Sequence, residues 1–160
     1  MAPAARNLNY RTIADVMTYA TATGTVFNEG DLVYLDTGTG LIAPISSGTQ
    51  VPYMLGNVQG SQPTSYTQGN VGLTSTYNVY VTRHTVKLIA RDVGNFISGV
   101  TPVYFSTDAQ SFKIASGSES NILGVMAVNP KEFGGVPSGT TVVNQEYEVL
   151  LRASYLFAIA

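Results

Sequence analysis

The chain of 160 residues carries few charges, since only 11% of its residues are Asp, Glu, Lys or Arg, against roughly 25% in an average soluble domain. Its net charge of −2 excludes the basic footprint of a nucleic-acid-binding protein. The absence of cysteine excludes disulfides and thiolate metal sites. No apolar run resembles a membrane-spanning helix or a signal peptide, so we expect a protein that is made in a cytoplasm and does not enter membranes.

The low proportion of charged residues also indicates that other proteins cover part of the surface. Apolar residues make up 44% of the chain, which is enough for a real core. A surface this poor in charge is explained if other proteins cover much of it, because interface cores are depleted in charge and enriched in Tyr. The alternative is a compact extracellular β protein with a polar, Thr-rich surface.

The first 20 residues are predicted to form a separate N-terminal arm. Within this arm, Ile13, Val16, Met17 and Ala20 follow helical spacing and could form one or two helical turns. Elsewhere the chain shows no sustained helical pattern with caps.

The rest of the chain reads as a duplication with a spacing of 70 residues. Val33-Tyr34-Leu35 aligns with Val103-Tyr104-Phe105, and Tyr77 aligns with Tyr147. The same spacing places residues 86–90 over 156–160. We therefore predict two tandem modules, residues 21–90 and 91–160.

Each module is rich in strand-forming residues. Strings such as LVYLD and YNVYVT are bounded by Gly, Asn and Asp, and the strings DTGTG and TDAQS lie where hairpin turns are expected. Within each module one variable loop, 57–76 or 125–146, separates the strings that the two modules share. The sequence predicts an all-β fold, a small β-barrel or sandwich made of two modules of about 70 residues with pseudo-twofold symmetry and an extended N-terminal arm.

One string invites an enzymatic interpretation. Asp36-Thr37-Gly38 resembles the active-site loop of aspartic proteases, which need two facing carboxylates. The equivalent residues of the second module, Ser106-Thr107-Asp108, lack this motif. We therefore expect a turn at Asp36, with a dimeric protease as a remote alternative.

Other polar residues do not form a recognisable site. His84 is the only histidine, and it is expected to be an ordinary strand residue. Glu29, Asp31 and Asp36 lack the spacing of a calcium loop and are expected at a solvated strand edge. We predict no catalytic residue, no metal and no cofactor, and hence no enzyme.

With this repeat established, the chain resembles bacteriophage capsid decoration (cement) proteins of the small β-barrel type. The resemblance is carried by Gly30-Asp31-Leu32-Val33-Tyr34-Leu35, by the Leu-Gly pairs at 55–56 and 123–124, and by the strand 148–152. It covers roughly residues 24–58 and 93–153, and the chain departs from it in the loop 57–76 and in the arm. The resemblance implies a protein on the outside of an icosahedral head, often a trimer, that clamps neighbouring coat subunits.

We therefore expect a virion protein at the capsid surface that binds the major capsid protein and itself, as a homo-oligomer with a trimer favoured. Neither nucleic acid nor membrane is expected as a partner. The alternatives are another virion component, such as a tail, spike or head-vertex protein, and a carbohydrate-binding module, although the chain has no Trp to stack on sugars. The residues expected to contact partners lie in the arm and in one loop: Asn9, Tyr10, Arg11, Ile13, Tyr19 and Tyr66.

Overall fold

The computed structural model of the chain describes residues 16–22, 24–60, 65–66, 75–80, 85–127 and 138–152. Almost all regular structure in these ranges is β-strand, and the remainder is two short 3₁₀ helices, Gly48–Tyr53 and Glu119–Asn121. The strands form two closed five-stranded rings, one in each half of the chain. The predicted all-β fold of two tandem modules is confirmed.

The first barrel closes in the order β1-β3-β2-β4-β6, with β6 pairing back onto β1. A short strand, β5, is added at the edge of β6. The strands are β1 (Val16–Thr21), β2 (Leu32–Asp36), β3 (Leu41–Pro44), β4 (Met54–Val58), β5 (Ser65–Tyr66) and β6 (Ser75–Tyr80).

The second barrel closes in the order β10-β7-β13-β11-β9. Two further strands, β8 and β12, pair with each other outside this ring and form a two-stranded ribbon. The strands are β7 (Thr85–Ala90), β8 (Asn95–Ile97), β9 (Pro102–Phe105), β10 (Ser111–Lys113), β11 (Ile122–Met126), β12 (Ser138–Thr140) and β13 (Glu146–Leu151).

The strand pairing divides the chain differently from the predicted boundaries. In each barrel the first strand, β1 or β7, pairs parallel with the second strand of the hairpin, β3 or β10. It also pairs antiparallel with the last strand, β6 or β13. Residues 85–90 therefore open the second barrel instead of ending the first. A ring closes only when its first strand pairs with its last. The repeat of 70 residues shows which segments are equivalent, but it does not show which strands pair. Residues 156–160, which were predicted to match 86–90, lie outside the described residues.

Part of the predicted arm belongs to the first barrel. Residues 16–20 belong to β1, so the helical turns predicted there are wrong for that part. Strand β1 is held on both sides, by β6 and by β3, and this pairing overrides the weak helical spacing. Residues 1–15 lie outside the described residues.

Two apolar clusters form the core. One fills the first barrel; the other fills the second barrel and extends onto the outside of the first. Strand β2 contributes to both, because Val33 and Leu35 pack in the first cluster while Leu32 and Tyr34 pack in the second. Burial on both faces explains why this strand reads as a continuous apolar run.

Candidate interaction surfaces

The Asp36 string forms the hairpin turn between β2 and β3, as predicted. The exposed carboxylate of Asp36 accepts a hydrogen bond from the backbone N–H of Gly38 at 2.9 Å, and its carbonyl accepts one from the N–H of Gly40 at 2.7 Å. Gly40 has φ +73°, a conformation that glycine adopts without strain. The chemistry of this string is therefore that of a turn.

The equivalent hairpin of the second barrel uses the same device. The carboxylate of Asp108 accepts a hydrogen bond from the backbone N–H of Gln110 at 2.8 Å. In both hairpins a carboxylate satisfies the backbone donor two residues further along the chain. The two turns differ in sequence and agree in construction.

Asp31 corrects one expectation. Its side chain is buried instead of lying at a solvated strand edge. One carboxylate oxygen accepts from the N–H of Asn28 at 2.8 Å, and the other accepts from Nε2 of Gln110 at 2.7 Å. Asp31 thus closes its own loop and links the first barrel to the hairpin of the second. No group of three or more acidic or histidine side chains able to hold a metal is found in the described part of the chain.

The two barrels are joined by polar contacts as well. The N–H of Leu32 donates to the carbonyl of Ala109 at 2.9 Å, a backbone hydrogen bond across the junction. The guanidinium of Arg152 donates to the carbonyl of Val51 at 2.6 Å. Burial lowers the pKa of Arg152 from its usual value.

Buried apolar side chains of the first module also pack at this junction. Leu32, Ile45, Val51 and Met54 of the first module are each at most 2% exposed and pack in the cluster that fills the second barrel. Continuous apolar packing of this kind, together with hydrogen bonds across the junction, holds the two barrels as one body.

Of the residues predicted to contact partners, Asn9, Tyr10, Arg11 and Ile13 lie outside the described residues. Tyr66 belongs to β5, where it stands opposite Ser75 of β6. His84 also lies outside the described residues.

Tyr19 is placed on β1, opposite Tyr77 of β6. Its ring is half-buried against the core of the first barrel, and its hydroxyl donates to Sδ of Met17 at 3.8 Å. Burial raises the pKa of Tyr19 above its usual value of 10.0. The described contacts of this side chain are therefore packing contacts within the barrel.

The most conspicuous exposed surface in the described residues lies on the β8–β12 ribbon and its adjoining turns. Eight large apolar side chains are well exposed in these residues, and five of them cluster in this one region of the second module. We call this region the apolar strip and define it by Val93, Ile97, Val100, Val142 and Val143.

The pairing of the ribbon explains why Val93, Ile97 and Val142 share a face. Asn95 stands opposite Thr140 and Ile97 opposite Ser138, while Phe96 between them points inward and contacts the ring of Tyr147 at 6.0 Å. Side chains alternate along a strand, so every second residue faces outward.

The ribbon continues one step beyond its assigned ends. The N–H of Thr141 donates to the carbonyl of Gly94 at 2.9 Å, and the N–H of Gly94 donates to Oγ1 of Thr141 at 3.0 Å. The same register places Val93 beside Val142. Val93, Val142 and Ile97 therefore face outward along the ribbon, while Val100 and Val143 are exposed in the turns at its two ends.

Among the described residues, the outward side of the ribbon carries no charged side chain. Its polar members are Asn95, Ser138 and Thr140, and they border an open groove of about 500 Å³. The charged side chains nearest to the ribbon in the described part of the chain are hydrogen-bonded. Arg91 donates to Oδ1 of Asn144 at 2.9 Å and lies 3.6 Å from the carboxylate of Asp108.

The other neighbouring charge is equally occupied. The carboxylate of Asp92 accepts hydrogen bonds from the N–H groups of Ile114 and Ala115 at 2.8 and 2.9 Å.

The apolar strip was not predicted from the sequence, because exposed and buried valines look alike in a strand-forming string. The adjacent β-branched pair Val142-Val143, within the predicted loop 125–146, was the available signal.

No family model matches the chain, and no curated protein matches its sequence. Among the described helices, none is long and apolar enough to cross a membrane.

Proposed function

We propose that this chain is a non-enzymatic structural protein of a bacteriophage virion that binds the outside of the capsid and stabilises the coat lattice. The observation that carries the proposal is a charge-poor chain folded as a double barrel, with only 11% charged residues. Free monomers normally keep a charged surface to remain soluble. A chain with so few charges is suited to a surface that neighbouring proteins cover.

The strings that resemble capsid decoration proteins support this proposal as parts of the framework. Gly30, with φ +84°, and the buried Asp31 shape the loop before β2. The Leu-Gly pairs lie in β4 and β11, where the register against the neighbouring strand shifts. The resemblance therefore concerns the scaffold, and the surfaces that contact the coat lie elsewhere.

The proposed contact to the coat is made by the segment before β1. Asn9, Tyr10, Arg11 and Ile13 combine hydrogen-bonding, aromatic and apolar groups that suit contact with the major capsid protein. An extended segment laid on a neighbour gains main-chain hydrogen bonds. Many copies on a lattice gain avidity, and the chain stabilises the shell by mass action because it binds only the assembled state.

The first experiment is peptide mass spectrometry on purified virions, with this chain counted against the major coat protein. A ratio between parity and one third supports a protein that covers the lattice. A handful of copies per particle moves the protein to a vertex, spike or tail. Absence from the particle overturns the virion proposal.

A truncation tests the proposed contact. Deleting residues 1–14 spares β1, which begins at Val16 and closes the first barrel on β6. We expect the truncated protein to keep its unfolding midpoint and to lose capsid binding at least about tenfold. A deletion through residue 19 is unsuitable, because it removes most of β1.

The control is a substitution in the same assay that leaves the segment intact, Val26→Thr on the exposed loop of the first barrel. It should bind capsids like the wild type. Undiminished binding by the truncated protein would show that the segment before β1 is not the contact.

A further inference from the structure

We draw no further inference here: the strongest candidate, the apolar strip on the β8–β12 ribbon of the second module, lies next in the chain to residues 128–137, which are outside the described residues, and nothing in the structure shows what covers it.

Discussion

Tyr19 stands opposite Tyr77 in the first barrel, and Leu88 stands opposite Tyr147 in the second, so both rings are closed by the same antiparallel pairing. Each tyrosine of the closing strand also meets a phenylalanine. The ring centroids of Phe27 and Tyr77 are 4.5 Å apart, and the second barrel repeats this contact with Phe96 and Tyr147. The inside of the module is thus similar in both copies.

The outward faces of the two barrels differ. Leu32, Ile45, Val51 and Met54 of the first barrel are buried at the junction. In the second barrel the corresponding residues, in the same order, are half-buried or exposed: Pro102, Ala115, Glu119 and Ile122. Pro102 and Ala115 are smaller than their counterparts and Glu119 is charged, so only Ile122 keeps a large apolar group where no second barrel covers the surface.

The hairpins show the same asymmetry. Ala109 and Gln110 of the second barrel are hydrogen-bonded to the first barrel, whereas residues 37–40 of the first barrel are all exposed. A symmetric partner for the bond from Leu32 to Ala109 would need an N–H at residue 102. Pro102 has none. The predicted pseudo-twofold symmetry is therefore absent from these contacts at the junction, and the chain uses this contact once.

The largest loss of stability is expected from a substitution in the Leu-Gly pair of the second barrel, Leu123-Gly124. A Cβ at Gly124 would lie 2.0 Å from the backbone carbonyl oxygen of Leu150, which cannot move without breaking the β11–β13 pairing. We expect Gly124→Ala to lower the free energy of unfolding by about 3 kcal/mol. Urea denaturation measures the change.

The control for this variant is Gly60→Ala, where no atom lies within 4 Å of the added Cβ. Its effect should stay within about 0.5 kcal/mol. Wild-type stability of Gly124→Ala would show that the barrel tolerates a side chain at the bulge, and the Leu-Gly element would lose its structural explanation.

A smaller effect separates the outward faces of the two barrels. Leu32→Ala empties a fully buried position at the junction and should cost about 2.5 kcal/mol. Ile122→Ala, on the half-buried face of the second barrel, should cost less than half of that. Equal losses would contradict the conclusion that only the first barrel presents this face to a partner within the chain.

The smallest effect distinguishes the first strands of the two barrels. The pKa of Tyr19 is raised by burial, so the folded state holds its phenolic proton more tightly than the unfolded chain. This contribution to stability is present below pH 10 and is lost as the pH rises through the folded pKa. Leu88 occupies the same place in the second barrel and does not titrate.

Chemical denaturation of the wild type and of Tyr19→Phe between about pH 8 and 11 measures this difference. The wild type should lose more stability than the variant above pH 10, and the two should change in parallel below it. Parallel curves across the whole range would mean that the hydroxyl of Tyr19 remains as accessible to water in the folded protein as in the unfolded chain.

Local chemistry in the sequence determined much of the scaffold. Strand-forming runs such as Val33-Tyr34-Leu35 and the turn residues at Asp36 and Asp108 act over a few residues, and both hairpins form where these signals predict them. The duplication was visible as well, because the inward-facing residues of both modules meet the same packing demands.

Tertiary structure alone decided the rest. Whether residues 85–90 end one barrel or begin the next depends on pairing with β13, more than fifty residues away. The burial of Asp31 depends on Gln110 of the other module. The exposure of Val93 and Val142 depends on which face of the ribbon meets the barrel. Each of these outcomes is set by contacts between distant segments, and such contacts leave no pattern in the neighbouring sequence.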